Sequence, residues 1–226
     1  PETPFAVSDF FDVEEDPSAP LTFNLSELLS DDIKPLPAAN NTLSLTAING
    51  LSPTTGTFTT TAGGSLTFNE SSGTFTYSPV GNFFGPDTFT YTIGSTPDAG
   101  DGPSTGTVNI NVQAINDGPI NAVPDDLFMD EDGTLSFSGA NLIDVEDIDA
   151  GAAGVTVTLT VSNGVLNVGG GGQVTNNGSG TVSIDGTVAQ VNNSLSGLTY
   201  TPTANFAGSD TLTINTNDNG NTGGTP

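Results

Sequence analysis

The chain of 226 residues contains no cysteine, no histidine and no tryptophan, and Lys34 is its single basic residue. Without cysteine there are no disulfides and no thiolate nucleophile. Without histidine the commonest general base is gone, and with it most zinc and copper sites. Rigidity must then come from packing or from hard cations held by oxygen. One basic residue against 26 acidic ones leaves a net charge of −25. Phosphate recognition needs Lys and Arg, so nucleic acid is excluded as a partner, and an anionic membrane surface is disfavoured on the same ground. Self-repulsion of this size opposes a compact state unless counter-ions neutralise it. No apolar run approaches the roughly 18 residues of a membrane helix. Runs of helix-forming Ala, Glu, Lys and Leu are missing too. No signal peptide is visible at Pro1, which is expected of a mature segment or a piece of something longer.

What the chain does contain is repetition. YSPVGNFFGPDTF at 77–89 returns 123 positions later as YTPTANFAGSDTL at 200–212, identical at seven of thirteen positions. AVSDFFDVEED (6–16) matches AVPDDLFMDED (122–132) without a gap, and LTFNLSELL (21–29) answers LSFSGANLI (135–143). Two domains follow, 1–117 and 118–226, joined near AINDGPIN (114–121). Units of this size form an array of domains rather than a solenoid.

With 29 Gly and 15 Pro, the composition suits many short strands and many turns. Apolar residues fall on every second position in LTFNL, NTLSLTAI, TGTFTTT, GSLTFNE, GTFTYSP, DTFTYTI and GTVNINVQAI. The second domain repeats this in GTLSFSG, GVTVTLTVS, GVLNV, TVSIDG, GLTYTP and DTLTINT. Alternation of this kind marks sheets with one buried and one wet face, and the fold class is all-β, two β-sandwiches in tandem. TVAQVNNSLSGL (187–198) departs from it, with Val188, Val191, Leu195 and Leu198 at helical spacing, and predicts a short helix. The second domain lacks an equivalent of GTVNINVQAI. Its final strand is expected either beyond Pro226 or from a neighbouring molecule.

In the repeated motif, Tyr77 and Tyr200 close a strand that Pro79 and Pro202 stop. Phe83 and Phe206 are expected to plug the end of the sandwich. Asp87 and Asp210 are placed to accept backbone N–H groups in the turn that follows. GGGGQV (169–174) reads as a hairpin loop and not a phosphate cradle, because neither Lys nor a helix follows directly.

The motif YTPxxNFxGxDTF, a terminal strand and then INDGP (115–119) together resemble the cadherin-like tandem repeats of large bacterial surface adhesins, including RTX-type biofilm adhesins. The resemblance spans nearly the whole chain. It implies Ig-like sandwiches strung end to end and stiffened by calcium at domain ends and junctions.

Calcium takes six to eight oxygens from Asp, Glu, Asn and backbone carbonyls. DED (130–132), DVEDID (144–149) and NDN (217–219) have that chemistry, and the linker adds Asn116 and Asp117. By the resemblance, Asn116, Asp117, Glu131, Asp144, Asp147 and Asp149 would surround one seam or the adjacent end of the second domain, with Asp132, Glu146 and Asp218 as further candidates. Glu15 and Asp16 match Glu131 and Asp132, and the insertion GSTPDAGDGPSTG supplies Asp98 and Asp101. DDIKPLPAANN departs from the alternating Asp of the family, so Asp31 and Asp32 stay outside the set. The competing reading makes all these residues solvated turn positions.

The expected function is a structural and adhesive repeat module, extracellular and bacterial, within a longer surface or matrix protein. Its expected partners are neighbouring repeats. Two alternatives stand beside it: an exopolysaccharide-binding module, and a fibre subunit assembled by strand addition in trans. An enzyme is not expected, since paired carboxylates fall in turns and no cleft is evident. Lys34 lies in a Pro-flanked acidic loop, which disfavours an isopeptide bond through it.

Overall fold

The computed structural model describes residues 3–35, 41–96 and 102–221. The chain folds as two compact units that meet between Ala114 and Ile115 in the sequence. Residues 115–117, assigned from sequence to the first domain, therefore go with the second.

The first unit is a sandwich of two four-stranded sheets. One sheet orders β1 (Asp9–Glu14), β8 (Ser104–Gln113), β7 (Gly85–Thr96) and β3 (Thr42–Ile48). The other orders β2 (Leu21–Asn24), β6 (Thr74–Ser78), β5 (Ser65–Asn69) and β4 (Gly56–Thr59). Strand β1 runs parallel to β8, with Asp9 opposite Val108 and Glu14 opposite Gln113. It is absent from the strands read by alternation, although Asp9, Phe11 and Val13 face inward. Its outward Phe10 is 78 % exposed and interrupts the expected polar face. One turn of helix, α1 (Leu25–Leu28), also goes beyond what the sequence predicts. The Asn24 N–H, at its start, donates to Glu27 Oε2 at 2.8 Å.

The core of this unit is aromatic. Phe23 stacks on Phe11 and Phe75 with centroids 4.4 and 5.0 Å apart, and Phe68 meets Phe75 at 4.6 Å. Such pairs add to the burial of their area. Gly106 lies under Tyr91, where a Cβ would sit 2.6 Å from ring carbon Cε1.

The second unit contains β9 (Ile120–Ala122), β10 (Leu135–Ser136), β11 (Asp144–Glu146), β12 (Val155–Thr160), β13 (Gly164–Asn167), β14 (Gln173–Thr175), β15 (Thr181–Gly186), β16 (Thr199–Pro202) and β17 (Thr213–Asn217). Its four-stranded sheet orders β14, β15, β12 and β17, and a three-stranded sheet orders β10, β16 and β13. The helix expected at 187–198 is α2 (Val188–Leu195), capped by Thr187, whose side chain accepts from Gln190 N–H. Val191 and Leu195 bury its apolar stripe. The core here is aliphatic, built on Val145, Val157, Leu159, Val182 and Ile184. Among the described residues no helix is long and apolar enough to cross a membrane.

Candidate functional site

The repeated motif forms the same polar knot in each unit. In the first, Asp87 is wholly buried and accepts from the hydroxyls of Thr60, Thr61 and Tyr77 and from the N–H groups of Ala62 and Thr88. In the second, Asp210 accepts from Ser162, Asn163 and Thr211 N–H and from the Tyr200 hydroxyl. The backbone bonds are those expected from the sequence. The tyrosine donors, ten residues upstream in each motif, are an addition from the structure.

Two candidate ligands are bonded to that same motif. Asp16 accepts from Asn82 N–H at 3.1 Å, and Asp132 from Asn205 N–H at 2.8 Å. All four residues hold positive φ, between 46° and 58°, a conformation Asn and Asp tolerate better than other side chains. Glu15 is buried, and its N–H donates to Gln113 O at 2.8 Å. Glu131 is exposed beside Asp132. The turn carrying Glu131 and Asp132 is thus tied to Asn205, ahead of β17, while Asp218 follows that strand. This separates Glu131 from the group the resemblance assigned it to. Asp98 and Asp101 lie outside the described residues.

Four of the remaining candidates in the second unit are bonded in two pairs, and strand register explains the first. In the antiparallel pair β9–β11, Ile120 faces Glu146 and Ala122 faces Asp144. Continuing that register past the strand ends sets Asp117 against Asp149, whose Oδ2 accepts Asp117 N–H at 2.6 Å. Strand β17 is anchored beside β9 by a bond of 2.6 Å from Thr216 Oγ1 to Asn121 Oδ1. Two residues on, Asp218 Oδ2 accepts from Asn116 Nδ2 at 2.7 Å and its Oδ1 from Gly220 N–H at 3.1 Å. The Gly220 bond and then the Asn116 bond hold the Asp218 carboxyl below the usual carboxylate range.

Asp147 braces the turn that carries Asp149. Its Oδ1 accepts from Asp149 and Ala150 N–H at 2.9 and 2.8 Å, an Asx turn. Its Oδ2 is buried with no hydrogen-bond partner. Asp149 and Asp218 are themselves buried. Asp144 and Glu146 sit on β11, Asp144 half-buried and Glu146 exposed. Asn116, Asp117, Asp147, Asp149 and Asp218 therefore form one oxygen-rich end of the second unit. Among the described residues, no three acidic side chains are gathered as a closed metal cage would require.

Layered, largely antiparallel sheets, apolar interiors and the repeated corner define tandem Ig-like β-sandwiches. Residues 1–111 match the family model described as bacterial Ig domain, just under half of the chain. A search of the curated proteins gives no match. Among solved structures, the chain is similar to extracellular cadherin domains 3–6 of protocadherin gamma B2, at 13 % identity and a TM-score of 0.37. That alignment covers 96 % of this chain and 46 % of the other. Two endo-fucoidan hydrolases of glycoside hydrolase family 107 are also similar. Their identities are 17 % and 19 %, their TM-scores 0.29 and 0.26, and 96 % of this chain is covered in each case. The chain spans 27 % and 32 % of their lengths.

Proposed function

We propose that this chain is a structural and adhesive module of a longer bacterial surface or matrix protein, stiffened by calcium where the linker enters the second unit. One observation carries the metal: the buried Oδ2 of Asp147 lacks any hydrogen-bond partner, beside carboxylates already drawn together by Asn116 and Asp117. A lone carboxylate oxygen withdrawn from water is costly unless a proton or a cation meets it. The donors are all oxygen and mostly anionic, which suits a hard divalent ion and suits softer metals poorly.

Asn116, Asp117, Asp147, Asp149 and Asp218 are the residues that would hold calcium. The ion would supply the positive charge that a chain with one Lys and no Arg cannot. Because Asn116 and Asp117 lie in the linker after β8, fixing them restricts the backbone at the boundary between the units. The Ig-like fold and the scarcity of basic residues both favour a module whose work is mechanical.

Calorimetric titration of the chelator-treated chain with calcium tests this directly. Saturable heat, together with a melting temperature that rises on adding the ion, is expected, and both should shrink in Asp149→Asn. No heat and superimposable melts would remove calcium and leave a metal-free structural module.

A further inference from the structure

At the other acidic locus, in the first unit, buried acceptors outnumber donors. The Tyr91 hydroxyl has one proton to give. It lies 2.6 Å from Val7 O and 2.9 Å from Asp32 Oδ1, and Asp9 competes for it as well. Val7 N–H supplies a second bond to Asp32 Oδ1, at 2.8 Å. After these, Asp9 Oδ2 and Asp32 Oδ2 both remain buried with no hydrogen-bond partner. Asp9 points inward from β1, Asp32 is buried in the loop after α1, and Tyr91 is fully buried on β7.

We propose that Asp9 and Asp32 share one proton, and that this proton latches the N-terminal segment of the first unit onto the loop after α1. Two adjacent ionised carboxylates without a donor repel each other, whereas one carboxylic acid donating to one carboxylate satisfies both orphan oxygens. The charged groups acting on Asp9 are Asp31 and Asp32, both negative. Lys34, on the same loop, is exposed. Burial pushes the Asp9 carboxyl up to about 6, a hydrogen bond with Tyr91 opposes this, and Asp31 and Asp32 add to the rise. Burial likewise raises Asp32, against the bonds from Val7 and Tyr91.

What the proton holds shut is specific. Phe5 and Ile33 exchange backbone bonds of 3.0 and 2.9 Å, and Ala6 N–H donates to Ser104 Oγ at 3.0 Å. Above the Asp9 pKa the added charge pushes β1 and the loop apart and loosens these bonds. The second unit has no such device among its described residues. Aligned through the repeats, Tyr91 corresponds to Ile214, and Asp9 to Asp125, which is exposed.

The test is a carboxyl-carbon NMR titration of the 226-residue chain in chelator, so that no metal stands in for the proton. The expected result is a coupled titration of Asp9 and Asp32 with one apparent step near pH 6. In parallel, amide protection at Phe5, Val7 and Ile33 should fall between about pH 4 and 6, by at most roughly tenfold per pH unit, and level off above the Asp9 pKa. Asp9→Asn carries a permanent donor and should keep that protection at pH 7.5. Independent titration of both groups near pH 4, or protection that ignores pH, overturns the proposal. Should Asp9→Asn fold poorly, the wild-type titration decides alone.

Discussion

The hydroxyl of Tyr77 donates to Oδ2 of Asp87 at 2.7 Å. Both residues are fully buried, and the bond ties the end of β6 to β7 inside the apolar core. Tyr200 and Asp210 repeat it at 2.9 Å, in a setting less sealed from water. A shared motif has therefore produced one contact under two degrees of burial.

Removing the carboxylate should show that difference. Asp87→Ala removes the acceptor of five bonds and leaves the buried Tyr77 hydroxyl and the half-buried Ala62 N–H without a partner, and the expected loss is about 3–5 kcal/mol from the first unit. Asp210→Ala strands donors that water can reach, with a loss of about 1–3 kcal/mol from the second. Urea unfolding with a probe assigned to each unit checks the ranking. Equal losses would refute the role given to burial.

Acid should weaken the same knot. Burial alone would raise the Asp87 carboxyl, but the bonds from Thr60, Ala62, Tyr77 and Thr88 outweigh it and hold the group below its ordinary 3.8. A depressed folded-state pKa contributes stability that is complete above the unfolded value and is lost as pH falls through the folded one. The stability difference between wild type and Asp87→Asn should thus be constant above about pH 5 and shrink below pH 4. Melting curves across that range give the slope.

Gly64 is the third point of the knot. A Cβ there would lie 2.7 Å from Tyr77 Cε2, 2.8 Å from Thr60 Oγ1 and 2.9 Å from Asp87 Oδ2. Gly64→Ala should cost about 1–3 kcal/mol through overpacking. Combined with Asp87→Ala it should cost less than the sum, because both changes disturb one group of contacts. A double-mutant cycle reads that coupling.

How much of this was legible depends on the reach of each interaction. Alternation announced most strands, and the three- and four-residue spacing from Val188 to Leu198 announced α2, because both patterns are local. The backbone bonds to Asp87 and Asp210 were legible for the same reason. The pairing of β1 with β8 was not, since its partners lie 99 positions apart, as Asp9 and Val108 do. Nor was the Asp9–Tyr91–Asp32 group, which needs three elements folded together before any charge meets another. Among the candidate ligands, the DVEDID loop and the linker were brought together by the β9–β11 register. Asp16 and Asp132 instead hold the backbone of Asn82 and Asn205. Nothing in an acidic tripeptide distinguishes a ligand from a turn brace.

The parallel ladder between β1 and β8 has a further consequence when the first unit is drawn from its two ends. These strands open and close the first unit, and they point the same way through six residue pairs from Asp9–Val108 to Glu14–Gln113. Tension drawing the chain apart from its two ends slides one strand along the other, so the rungs resist together instead of tearing singly like a zip. Pulled from its two ends, the unit is loaded along the direction in which all six rungs act at once.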